Sequence, residues 1–283
     1  MSFISNGPSF GSLASNAARG VLSAMTLMLM SFSAVAAEDT RFHGATGGIL
    51  RFPNSNQPED ENNLFGEAWL KLAYSVAKTE KGNLSFYTLG NVVADTKPFA
   101  YNNTAKLGVG LSYSYQVSDA LNISFSARHD WFQERTTDVR RSAMKYEMTY
   151  YYYRYWAAEP DDKMFGLSRN AWIFKSYGTL AYPGSLEEND DNLVLTLGGE
   201  YSTDLQLGES KWLLSPFIDV DFAWDRDGNN YNNKIIPGVG AKIRRPIEKG
   251  EIFVSLRAQA DYRWKAGTTD VKPGIHIGWY KGF

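Results

Sequence analysis

Three histidines, His43, His129 and His276, are the side chains of this 283-residue sequence suited to proton transfer near neutral pH. There is no cysteine to serve as nucleophile, thiolate ligand or disulfide partner. Ser126, His129 and Asp130 lie close together and are the residue types of an acyl-hydrolysing triad. The chain alternates there, so His129 shares a face with Ala127 and Trp131, while Ser126 and Asp130 have the opposite parity. A nucleophile and a base on opposite faces cannot come within hydrogen-bond reach. His43 precedes or begins the first strand, and His276 sits on the polar face of the last. No enzyme activity is expected. The acidic runs Glu187-Glu188-Asn189-Asp190-Asp191 and Asp225 to Asn233 offer oxygen ligands, but neither has calcium-loop spacing, so they read as exposed loops. No metal and no cofactor is expected. The formal charge of −2 carries no basic footprint for nucleic acid.

The remaining ionisable side chains recur at every second position, which sets the elements that must carry them. From Glu251 to Trp264 one face reads Ile252, Val254, Leu256, Ala258, Ala260, Tyr262, Trp264, and the other Glu251, Phe253, Ser255, Arg257, Gln259, Asp261, Arg263. Trp212 to Trp224 opposes apolar even positions to Ser215, Asp219 and Asp221, and Lys106 to Val117 and Leu121 to Arg128 alternate likewise. Period two marks strands with two different faces. Twelve such strands begin near residues 44, 66, 83, 104, 121, 142, 166, 191, 211, 234, 250 and 270. The stretches 44–52, 83–94 and 166–182 alternate poorly.

Alternation alone also fits a soluble sandwich. Three features oppose that reading. Several segments run ~12–14 residues, against ~5–6 for a typical soluble strand. Trp212 and Trp224 share the apolar face twelve residues apart, which at a membrane strand's tilt separates them by ~30 Å in height, the spacing of two interfacial girdles. Connections near 118–120, 203–210 and 245–250 are compact, whereas those near 53–65, 133–141, 183–190 and 225–233 are long and polar. These features predict an all-β, antiparallel, closed transmembrane barrel of twelve strands, with ten or fourteen as alternatives. An aromatic content of 14% with only 10 prolines agrees. Interfacial positions fall to Trp212, Trp224, Tyr262, Trp264, Trp279 and Phe283.

The N-terminus reads as a targeting segment. A polar stretch ends in Arg19, an apolar run spans Val21 to Phe32, and Ala34-Val35-Ala36 supplies a small-x-small cleavage site before Glu38-Asp39. The run is too short for a membrane-spanning helix. Residues 1–36 are therefore expected to be a signal peptide and 37–283 the barrel.

The chain closes on Ile275-His276-Ile277-Gly278-Trp279-Tyr280-Lys281-Gly282-Phe283. An alternating aromatic strand with a terminal Phe resembles the C-terminal signature of Gram-negative outer-membrane β-barrel proteins, although Lys281 stands where that signature carries an apolar or aromatic residue. The resemblance implies an outer-membrane location, contact with outer-membrane lipid and lipopolysaccharide, and recognition by the barrel-assembly machinery through the last strand. A further likeness, carried by Pro237 to Pro246 and by Tyr150-Tyr151-Tyr152-Tyr153-Arg154-Tyr155-Trp156, is to barrel domains of exopolysaccharide-export and phage-adsorption proteins.

In such a barrel lipid takes the apolar face and the polar face lines the lumen. Lys106, Arg128, Lys145, Glu147, Asp219, Asp221, Lys242, Arg244, Glu251, Arg257, Asp261 and Arg263 are then pore-lining, with Asp130 beside them. Strand pairing sets Arg244 opposite Glu251, and Asp219 and Asp221 opposite Gly240 and Gly238. Lys242, Arg244, Arg257 and Arg263 form a basic arc facing an acidic one. Tyr146, Tyr150 and Tyr152 point outward as anchors; Tyr151, Tyr153 and Tyr155 point inward, where they could stack on sugar rings. The expected function is passive passage of small hydrophilic solutes. The alternative is a surface component tied to exopolysaccharide export, adhesion or phage attachment, with the barrel as anchor.

Overall fold

Strands far longer than those of soluble sheets follow from the unbroken alternation. The computed structural model describes residues 41–52, 63–97, 102–184, 191–229 and 232–283; the segment read as a signal peptide lies outside them. The strands are β1 (Phe42–Phe52), β2 (Phe65–Lys78), β3 (Gly82–Asp95), β4 (Thr104–Ser118), β5 (Leu121–Glu134), β6 (Arg140–Ala157), β7 (Lys163–Met164), β8 (Leu167–Tyr182), β9 (Val194–Gln206), β10 (Leu213–Asp225), β11 (Lys234–Ile247), β12 (Gly250–Arg263) and β13 (Thr268–Gly282). Each pairs antiparallel with its sequence neighbour. β7 is a short hairpin arm on β8, so β6 pairs directly with β8. β1 closes onto β13 through pairs such as Gly47 with Tyr280 and Arg51 with His276. The result is a closed barrel of twelve strands with one extra short strand.

Its faces are inverted relative to a soluble barrel. Leu256, Ile218 and Val239 are 61%, 59% and 56% exposed on the outside, while Asp130, Asp261 and Arg128 are buried on the inside. No soluble protein offsets the cost of such an apolar exterior; a hydrocarbon surround does. The fold is a transmembrane β-barrel.

Arg41, the first described residue, and Phe283 lie at one rim. The connections at that rim, 79–81, 119–120, 207–212 and 248–249, are short, and those at the far rim, 53–64, 96–103, 183–193 and 226–233, are long. Three connections depart from the expected alternation. Residues 135–139, expected as part of a long loop over 133–141, make a short connection at the far rim because β5 and β6 run further than expected; residues 264–267 make a tight turn there; and 158–166, which hold β7, extend the near rim.

In two of the poorly alternating stretches, 44–52 and 166–182, glycines are covered by rings. A β-carbon on Gly47 would come 2.8 Å from the Trp69 indole, and one on Gly178 would come 2.5 Å from the Tyr150 ring. An aromatic side chain replaces the missing one, so the pattern is lost in sequence but kept in space.

The two halves of the ring repeat each other. Asn63 and Asn192 precede β2 and β9, Asp95 and Asp225 end β3 and β10, and Asn102-Asn103 and Asn232-Asn233 precede β4 and β11. Gly108-Val109-Gly110 and Gly238-Val239-Gly240 follow at the same spacing. Tyr87 faces Gly110 as Phe217 faces Gly240, and Arg128 and Arg257 face the same two glycines from the other side. Six strands therefore map onto six by a half-turn about the barrel axis.

Candidate functional site: the lumen

Pleating aims alternate residues of every strand at the axis. Arg128 on β5 donates through Nε to Asp130 Oδ1 at 2.7 Å and through both terminal nitrogens to Glu147 on β6, at 3.2 Å for Nη2 to Oε1. Lys145 stands 3.5 Å from Glu147 Oε1 and also donates to the Gly184 carbonyl at 3.3 Å. Lys106 lines the wall opposite Asn91 and Phe132.

Across the ring, Glu200 bridges Lys175, at 3.6 Å, and Lys242. Arg244 donates to Asp204 through Nε at 3.0 Å and through Nη2, and to Glu251 Oε2 at 2.7 Å. The Ser215 hydroxyl completes this group by donating to Asp204 Oδ1 at 2.6 Å. Arg257 pairs with Asp219 at 3.0 Å, Arg263 with Asp261 at 3.3 Å, and the Tyr177 hydroxyl donates to Asp221 at 3.0 Å. Charge-assisted pairs of this kind are the strong ones.

These contacts correct three expectations. The basic arc is not one, because Lys242, Arg244, Arg257 and Arg263 each hold an acidic partner. Asp219 faces Gly238 and Asp221 faces Ile236, while Gly240 faces Phe217. A shift of two residues preserves the alternation, so periodicity cannot fix this register. Arg244 lies opposite Phe253, and Glu251 opposite Pro246; the Arg244–Glu251 contact is diagonal.

Lys175, Glu200, Asp204 and Tyr177 escaped the sequence reading. Their strands carry Gly198-Gly199 and a register irregularity between Arg169 and Ala171. The signal that could have found Glu200 and Asp204 is their common parity with Ser202.

The histidines are dispersed. His129 faces outward with its ring 4.6 Å from Trp131, away from inward Ser126 and Asp130. His276 is buried in the lumen wall between Arg51 and Ser255. His43 lies 3.5 Å from Ser75 Oγ and 3.3 Å from the Arg41 carbonyl, with no carboxylate among its contacts in the described residues.

The outer aromatics sort by height. Trp212 and Trp279 stand near the rim of Arg41 and Phe283, and the Phe283 ring covers Gly44 there. Trp224 and Tyr262 stand near the far rim, where Trp264 stacks on Phe222 at 5.4 Å and 19°.

No protein-family model and no curated protein matches the sequence. Solved barrels resemble it in outline. The β domain of the Bordetella autotransporter BrkA is 12% identical over 86% of this chain and 98% of its own, with a TM-score of 0.43. LpxR from Salmonella typhimurium is 10% identical over 84% and 99%, with a TM-score of 0.42. An outer membrane channel from Pseudomonas putida F1 is 8% identical over 86% and 95%, with a TM-score of 0.40. Likeness at that level assigns neither activity nor solute.

Proposed function

We propose that the barrel sits in the outer membrane of a Gram-negative cell, the rim of Arg41 and Phe283 toward the periplasm, and passes small hydrophilic solutes passively. One observation carries this. Tyr151, Tyr153, Tyr155, Tyr177 and Tyr280 all point into the lumen, yet they are between 37% and 52% exposed. Side chains filling a closed interior would be buried; these border space that water can enter. A barrel of about twelve strands falls between the side-chain-filled small barrels and the open porins, so a narrow path is the geometry expected of it.

The test is planar-bilayer recording with the purified, refolded protein. Discrete conductance steps are expected, and their absence across salts and voltages would remove the channel reading. The alternative, a barrel that only anchors surface loops for exopolysaccharide export, adhesion or phage attachment, draws on the other side of the lumen, where Arg128 and Asp130 are packed against the wall. Lipopolysaccharide contact and assembly through β13 belong to the same proposal. Loss of membrane insertion on deleting Phe283 would support the assembly role.

A further inference from the structure

The lumen wall does not expose what its composition suggests. At the level of Tyr151 and Tyr280 the charged side chains are the cations Lys175, Lys242 and Arg244 and the anions Glu200, Asp204 and Glu251, and none is more than 24% exposed because each is locked to an opposite charge. The phenols around them are the accessible groups: Tyr151 is 48% exposed and Tyr280 is 45%.

These two tyrosines are half-turn equivalents. Arg128 on β5 is opposite Lys145 on β6, and Tyr151 lies six residues further along β6, opposite Asn122. Arg257 on β12 is opposite Gly274 on β13, and Tyr280 lies the same distance further along β13, opposite Glu251. β6 and β13 are six strands apart in a ring of twelve, so the two side chains face each other from opposite sides of the lumen. Tyr153 continues the row on β6, one pleat below Tyr151.

We propose that Tyr151, Tyr153 and Tyr280 form the selecting constriction of the lumen and favour uncharged polyhydroxyl solutes over ions of equal size. The inference rests on the channel reading above. A phenol ring offers an apolar face for C–H groups and a hydroxyl for hydrogen bonds, which together match a polyol. An ion entering the same point must shed water, and the surrounding charges, neutralised in pairs, offer it no net field.

The experiment uses the full barrel in proteoliposomes and compares efflux of labelled sorbitol and labelled gluconate, a neutral and an anionic solute of similar size. A potassium chloride gradient across a planar bilayer measures ion preference. Sorbitol efflux should exceed gluconate efflux, and the reversal potential should lie near zero. The double variant Tyr151→Ala, Tyr280→Ala should lower the sorbitol-to-gluconate ratio by roughly threefold or more as aromatic contacts are lost. Tyr151→Phe with Tyr280→Phe, which keeps the rings, should retain part of the preference and serves should the alanine pair fail to fold. Flux through the wild type with a ratio unmoved in either variant overturns the constriction and leaves the channel standing. No flux of any kind through the wild type overturns both.

Discussion

A β-carbon built on Gly238 would lie 2.1 Å from Asp219 Oδ1, so the bare backbone of β11 is the space into which that carboxylate turns to meet Arg257. Gly238→Ala should push Asp219 aside and weaken its pair with Arg257, at a cost of about 1–3 kcal/mol from overpacking. Gly240→Ala should cost more, because its β-carbon would meet the Leu256 carbonyl at 2.3 Å, and backbone cannot swing away as a side chain can. Unfolding midpoints of the two variants in urea, followed by tryptophan fluorescence, give the order. A larger loss at Gly238 would contradict it.

The Arg244 cluster predicts an asymmetry between removing one charge and removing several. Asp204→Ala strands the Arg244 guanidinium against a single remaining acid and takes away the acceptor of the Ser215 hydroxyl proton. Breaking a buried pair from one side costs about 3–5 kcal/mol, whereas replacing the whole group by apolar residues of matching volume is near neutral. The expected result is a marked drop in unfolding midpoint for Asp204→Ala and partial recovery when Arg244→Met is added. Additive losses in this double-mutant cycle would show that the residues do not act as a unit.

Asp225 should hold the long β10–β11 connection. Its carboxylate accepts the side-chain amides of Asn192, Asn229, Asn232 and Asn233 and the backbone amides of Gly228 and Asn229, at 2.6–3.0 Å. Asp95, its half-turn equivalent, accepts from Asn63, Asn102 and the backbone of Lys97, at 2.7–2.8 Å. Each buried donor left without an acceptor costs about 1–3 kcal/mol unless water replaces it. Asp225→Ala should therefore open residues 226–229 and 232–233 to added protease while the barrel stays folded. Asp95→Ala should do the same to residues 96–97 and 102–103. Unchanged cleavage in both variants would show that the loops are held by other contacts.

How much of this was legible beforehand follows from what a period of two can encode. Alternation assigned Glu251 through Trp264 to their correct faces, because apolar and polar residues take turns there with Phe253 as the exception. It located the strand starts to within a few residues. It could not set Asp219 against Gly238 in place of Gly240, since a shift of two leaves every residue on its own face. It also passed over the half-turn repeat. That repeat survives at glycine, asparagine and aspartate positions that fix backbone and loops, whereas the lumen charges have diverged: Asp130 corresponds in register to Gln259, and Leu89 to Asp219. Glu200 and Asp204 were hidden for a related reason, because Gly198-Gly199 interrupts the pattern that would have marked their face.

The assignment of the outer face to lipid makes the sharpest prediction. Leu256 points outward near the middle of β12, between Val254 and Ala258, with Ala241 and Ile275 as its cross-strand neighbours. At the midplane of a bilayer, an arginine on the lipid face costs about 2–4 kcal/mol, falling to about 0–1 near the interface. Leu256→Arg should therefore lower the stability of the bilayer-folded protein severalfold more than Tyr262→Arg, which stands toward the far rim on the same face of the same strand. In water both positions would be surface sites, and neither change would matter beyond a few tenths of a kcal/mol. Measuring both variants by urea unfolding in lipid vesicles separates the cases. Equal and small effects would mean that no hydrocarbon covers β12, and that its exposed Ile252, Val254 and Leu256 face something else.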